Sequence, residues 1–275
     1  MTKLNLRIAT AAACLMIFAI PMLADDDTMA CAGMPNQQAL KTALTAAVTA
    51  ETSGLNLNMW GTIVDRDGNV CAVAYSGASR RAQWTGSRVI SAQKANTANL
   101  FSLDSSSASN NSGAAKGLAL STANLYSAVE PGGSLFGLQA SNPVNAAVAY
   151  QGPASQWGTP MDPMVGKKVG GVNVFGGGLA LYDTGHKMIG GVGVSGDTSC
   201  ADHNIAWRVR NLLKLDHMGG PNPVGGVSGD PTRPDNIIFD ITDNPSGGTG
   251  KSAGGFGHPK CVNTAGQNLL PVVQP

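Results

Sequence analysis

Between Gly176 and Leu213 the chain reads GGGLALYDTGHKMIGGVGVSGDTSCADHNIAWRVRNLL, and this stretch constrains the fold more than any other. Leu179–Tyr182 and Lys187–Val194 are β-compatible runs. Asp183-Thr184-Gly185 between them supplies residues that tolerate left-handed turn geometry, so the two runs are expected to pair as an antiparallel hairpin. Ser195-Gly196-Asp197 then breaks the strand. Ser199 with Asp202 three residues later reads as a capping box ahead of Ile205, Ala206, Val209, Leu212 and Leu213, which share one helical face.

Upstream the same logic gives more elements. Asn36 after Pro35 is placed to cap a helix carrying Leu40, Ala43, Leu44, Ala47 and Val48, with Gly54 as its stop. Met59–Val64 and Val70–Tyr75 flank Asp65-Arg66-Asp67-Gly68-Asn69, a second hairpin. Ser87–Phe101 reads as a second helix, with Ile90, Lys94, Thr97 and Phe101 near one line. Residues 103–170 loosen into Ser/Asn/Gly/Pro-rich sequence with apolar stretches at Leu118–Val129 and Val144–Tyr150. They read as an insertion with structure of its own, since so long a bare loop is unusual in a compact domain. A Pro/Gly-rich tail, 216–275, follows the domain at 25–215, and only Asn236–Ile241 in it looks strand-like. Consecutive strands joined by tight turns argue for an α+β fold with an antiparallel sheet flanked by helices.

Lys3 and Arg7, the apolar run Ile8–Ile20 and Pro21-Met22-Leu23-Ala24 have the form of an export signal at 1–24, too short to span a bilayer. A periplasmic or secreted location is expected, with no transmembrane segment in the mature chain. Removing the signal takes the formal charge from +1 to about −1, so no electrostatic attraction to nucleic acid follows. Cys14 leaves with the signal. Of the four remaining cysteines, Cys200 with Cys261 is the favoured disulfide, and Cys31 with Cys71 stays open because Cys71 sits mid-strand.

Three catalytic or ligand motifs lose to plainer readings. Gly191-Val192-Gly193-Val194-Ser195-Gly196 satisfies the dinucleotide fingerprint, yet no parallel strand follows the helix, so the glycines are assigned to close helix–strand packing. Ser195 fails the nucleophile-elbow pattern because Asp197 replaces the second glycine, and the four histidines suggest no triad. Cys200-Ala201-Asp202-His203 and His258-Pro259-Lys260-Cys261 mirror a zinc site, but two exported cysteines more often join each other. Lys94 on a small-residue helix face needs a partner or an anionic ligand if buried, and Arg88 and Arg208 add further cations.

GTIVDRDGNVCAVAYSG at 61–77, SRVISAQKANTANLFS at 87–102 and GGLALYDTGHKMIGGVGVSGDTSCADHNIAW at 177–207 together resemble the GlcG/HbpS-like family of haem-binding proteins, also described as carrying a haem-degrading domain. Lys94-Ala95 with Thr97-Ala98 matches its K-A-x-T-A helix, and Asp202 stands at its aspartate. The resemblance implies a profilin-like fold, homo-oligomers and non-covalent haem as cofactor, there being no C-x-x-C-H motif. With haem as the ligand, His203 is the preferred iron ligand and His186 the second, while Lys94 and Arg88 would meet propionates. The function so implied is an exported haem carrier, buffer or sensor component. Its rivals are a haem-degrading enzyme and a ligand-free accessory subunit.

Overall fold

The computed structural model describes residues 30–107, 116–248 and 250–275. The export signal expected at 1–24 lies outside them. Seven elements build the domain: helix α1 (Gln37–Ala50), strands β1 (Trp60–Asp65) and β2 (Val70–Tyr75), helix α2 (Ser87–Phe101), strands β3 (Gly178–Tyr182) and β4 (Met188–Ser195), and helix α3 (Ser199–Leu212). The strands form one sheet in the order β2-β1-β4-β3, antiparallel throughout. The α+β antiparallel architecture read from the sequence is the observed one.

The sheet is covered on both faces. Leu40 and Leu44 of α1 and Ile205, Ala206 and Val209 of α3 pack with Ile63, Ala72, Ala74, Val192 and Val194 on one side. Val89, Ala92 and Ala95 of α2 pack with Trp60, Val64, Val70 and Val73 on the other. Two-sided burial explains why β1 and β3 lack the apolar–polar alternation of a half-exposed strand. The helix seated on the glycines of β4 is α2: a Cβ at Gly191 or Gly193 would overlap the carbonyl oxygens of Ala95 and Ser91.

Several local expectations change. The first helix has its Asn36 cap, the side chain accepting from Ala39 N at 2.9 Å, but ends at Ala50, before Gly54. The cap of α3 is Thr198 rather than Ser199, and Asp202 turns away from the cap toward α2. In the β3–β4 hairpin the left-handed residue is His186 (φ 58°), not Gly185. Asp183 makes this possible by accepting from Gly185 N at 2.8 Å and Lys187 N at 2.9 Å. Asn236–Asp240 runs without strand partners; only Ile241–Thr242 pairs, with Lys251–Ser252. Side chains and isolated backbone bonds fix this segment instead, Ile237 packing on Cys200 and Ala123 while His258 N donates to Ile238 O at 2.8 Å.

Residues 116–175 form short helical turns and straps laid over α2 and the outer edge of β2, where Val70 N donates to Lys167 O at 2.9 Å and Gly166 N to Val70 O at 2.8 Å. The tail crosses the outer side of α3: Trp207 Nε1 donates to Pro271 O at 2.9 Å and Asn204 Nδ2 to Ala265 O at 2.9 Å. Cys200–Cys261 and Cys31–Cys71 are both disulfides, with Cα separations of 6.0 and 5.4 Å. The pairing left open at Cys31 and Cys71 is thereby closed, joining the segment before α1 to β2.

Candidate functional site

Chemistry-bearing side chains converge where α2, the end of β4 and the first turn of α3 meet. Lys94 Nζ donates to Asp202 Oδ2 at 2.6 Å and to Val194 O at 3.2 Å, with both side chains buried. The other oxygen of Asp202 accepts from Gly196 N at 3.1 Å and Asp197 N at 2.9 Å, so one carboxylate ties the strand end, the turn and α2 together. Burial pushes the Asp202 carboxyl up to about 6 against the pull of Lys94, and burial lowers the Lys94 ammonium against the pull of Asp202.

A glycine strap closes this pair. Val194 N donates to Gly177 O at 2.7 Å and Gly176 N to Ser199 Oγ at 2.6 Å. A Cβ at Gly177 would overlap Val194 O and stand 3.2 Å from Lys94 Nζ, which is why small residues run three in a row there.

His203, the residue after Asp202 on α3, has no exposed surface. Its Nε2 lies 3.2 Å from Asn236 Oδ1, and its buried Nδ1 has no hydrogen-bond partner among the described residues. Burial pushes the imidazole down to about 4, so it is neutral at pH 7. The tail also brings His258 to this end of α3, its Nε2 2.8 Å from Ser199 Oγ.

His203 thus abuts the strap at Gly176 and Lys94 at Gly177, while Arg88 and His186 are elsewhere. Arg88 is buried in a bidentate pair with Asp162, donates to Ala149 O at 2.7 Å and stacks on Trp157 at 4.5 Å. It holds the 149–162 strap, and its charge, like that of Lys94, is already met by a carboxylate. Arg208 lies 3.5 Å from Glu51. His186 sits in the β3–β4 turn, its Nδ1 3.1 Å from His217 O. Asp183, from the same turn, lines a cavity of about 730 Å³ together with Met188, Leu215, Cys31, Met34, Asp65, Arg66, Asp67 and Lys168, while His186 itself is not part of the lining.

Sequence reasoning did not find Asp162, Asp235, Ser199 or His258 as partners. Arg88–Asp162, Lys94–Asp202 and Ser199–His258 are 74, 108 and 59 residues apart, so no local spacing could signal them. Arg210 with Asp235 is a further buried bidentate pair, at 2.6 and 2.8 Å.

A helix-covered antiparallel sheet with a Lys–Asp pair closed by a glycine strap defines the class of this chain. Residues 34–210 match the family described as haem degrading protein HbpS-like, and the chain belongs to that family. It is similar to the crystal structure of Klebsiella pneumoniae protein ORFY of the DUF336 family, with 24% identity over 64% of this chain and 86% of that one and a TM-score of 0.40. It is also similar to the crystal structure of a PduOC:heme complex, with 21% identity over 64% and 89% of the two chains and a TM-score of 0.40. No curated protein matches it. The family inferred from the three motifs is the one found, and its match stops at Arg210, leaving the tail outside it.

Proposed function

We propose that the chain is an exported haem-binding protein, a carrier, buffer or sensor component working as a homo-oligomer, and that haem is held non-covalently beside His186. Membership of the HbpS-like family over residues 34–210 carries this reading. For export, the support is the form of the first 24 residues and two disulfides.

His203 does not suit an iron ligand in this conformation. It is wholly enclosed, its Nε2 faces Asn236, and only displacement of the tail would free it. His186 suits better. Its Nδ1, donating to the His217 carbonyl, fixes the tautomer that leaves the Nε2 lone pair available, the usual arrangement of an iron-binding imidazole.

The neighbouring cavity, about 730 Å³, is within the range of cofactor sites. It offers Met34, Met188, Ile189 and Leu215 as apolar wall, with Arg66 and Lys168 for propionates. Arg66 donates to the neutral Asn99 O and Oδ1 and makes no ion pair among the described residues. Two of the three acids in the lining are hydrogen-bonded: Asp65 accepts from Cys31 N, Asp67 N and Asn69 N, and Asp183 from its own turn. Haem bound here would supply iron-centred ligand or redox chemistry. The cavity supplies two cations and an apolar wall beside the carboxylates of Asp65, Asp67 and Asp183, and the imidazole of His186 would reach it from the adjoining turn.

Hemin titration tests the reading. A saturable Soret change at low micromolar concentration is expected in the wild type and in His203→Ala, with a loss of tenfold or more in affinity in His186→Ala. No saturable change in the wild type would overturn haem binding, and loss in His203→Ala alone would return the ligand to α3. Disappearance of bound haem with reductant and oxygen, releasing iron and a linear tetrapyrrole, would move the protein to the degrading class.

A further inference from the structure

Cys200, Cys261 and His258 are three metal-ligating side chains outside the Lys94–Asp202 pair and the cavity beside Asp183, and their ligand atoms all lie within 4.8 Å of one another. We propose that the Cys200–Cys261 disulfide is the oxidised form of a Cys₂His site that takes a soft divalent cation of the zinc class once the disulfide is reduced.

The donors are arranged for this. His258 Nδ1 donates to Pro259 O at 2.7 Å, which fixes the tautomer and leaves the Nε2 lone pair directed at Ser199 Oγ, 2.8 Å away. A metal ligand of this kind characteristically has its second nitrogen bonded to a carbonyl. Cys200 N donates to Cys261 Sγ at 3.1 Å, which favours the thiolate a metal requires at that sulfur. Cys200 is anchored in the first turn of α3, while His258 and Cys261 share one short tail segment packed on it. Breaking the S–S bond therefore leaves three ligands close together without a long loop to reorder. Two thiolates and an imidazole are a zinc-type donor set, with the fourth tetrahedral position open to water.

The exchange balances. A dithiol gives two electrons and two protons to the Cys200–Cys261 bond and closes to its own cyclic disulfide, leaving two protein thiols. The cation then displaces both thiol protons to solvent. The tail is stapled to α3 in either state, by a covalent bond when oxidised and by the metal when reduced.

Cobalt(II) is the probe, because its thiolate charge-transfer and tetrahedral d–d bands report the donor set directly. The full chain is reduced anaerobically with a dithiol, freed of it and titrated with cobalt, then back-titrated with zinc. One cobalt per chain with thiolate bands, displaced by zinc, is expected in the reduced protein only. Cys261→Ser is expected to abolish the bands and His258→Ala to weaken binding by at least about tenfold, circular dichroism confirming that each variant is folded. Bands that survive Cys261→Ser would place the metal at Cys31, Asp65 and Cys71 and overturn the proposal. Equal binding in His258→Ala, equal binding by the oxidised protein, or no bands at all would overturn it too. Native mass spectrometry of reduced wild type with zinc gives a second readout, a one-zinc adduct that the oxidised chain lacks.

Discussion

Lys94 Nζ and Asp202 Oδ2 stand 2.6 Å apart although 108 residues separate them, and the same carboxylate receives the backbone N–H groups of Gly196 and Asp197. The pair therefore joins α2, the exit of β4 and the entry of α3. Removing one member strands a buried charge, so Lys94→Met is expected to cost about 3–5 kcal/mol in urea unfolding. Lys94→Met with Asp202→Asn is expected to recover part of that loss, since the amide oxygen still accepts from the turn. A Lys94→Met loss under about 1 kcal/mol would show that the pair contributes little.

Gly193 is where α2 rests on the sheet. A side chain there meets the Ser91 carbonyl oxygen, which cannot swing away as a flexible side chain would. Gly193→Ala is expected to destabilise by about 3 kcal/mol or more. Gly86, with open space around its Cβ position and ordinary helical φ, is the control, and Gly86→Ala should stay within about 0.5 kcal/mol. Thermal melts of both variants check the pair, and equal melting temperatures would remove the seating role.

The two disulfides close sequence separations of 40 and 61 residues. On the chain-entropy account each is worth about 4 kcal/mol, through restriction of the unfolded chain. Cys31→Ser/Cys71→Ser and Cys200→Ser/Cys261→Ser proteins should each show lowered midpoints in denaturant, to a similar degree. A midpoint unchanged by either double substitution would contradict this.

The His203 imidazole, pushed down to about 4 chiefly by burial, lies below the ordinary value of about 6.5. Asp235 and Asn236 favour its charged form while Arg210 and His258 oppose it. As pH falls below about 6.5 the unfolded chain takes the proton first. Stability is therefore unaffected by this group at higher pH and declines toward pH 4, by up to about 1.4 kcal/mol per unit. His258, also pushed down to about 4, acts in the same sense. Asp202, pushed up to about 6, acts in the opposite sense because the folded chain protonates first there, offsetting part of the decline between about 6 and 4. The melting temperature should fall from pH 7 to pH 5, and His203→Gln should fall less. Parallel profiles for the two proteins would rule His203 out as a contributor.

Local chemistry made the elements legible. Asp65-Arg66-Asp67-Gly68-Asn69 and Asp183-Thr184-Gly185 marked the hairpins, and the spacing of Leu40, Leu44 and Ala47 gave the first helix its buried face. The packing role of the glycines near 193 could be read because the strand–turn–helix order excluded a nucleotide-binding crossover. Partners of buried charges were not legible, since Asp162 and Asp235 lie in stretches without periodicity and reach Arg88 and Arg210 only through the tertiary fold. The enclosure of His203 escaped for the same reason: its neighbour Asn236 belongs to a segment whose IIFDI pattern resembles a strand but is held by side chains.

Every residue of α3 from Cys200 to Trp207 is buried, because the sheet takes one side and the segments at 232–237 and 258–273 take the other. Trimming the chain to the span that the family match covers would strip water-excluding cover from Asn204 and Trp207, leave Arg210 without Asp235 and remove the second sulfur of a staple. The span by which the chain is recognised thus stops short of the residues that complete the cover of its last helix.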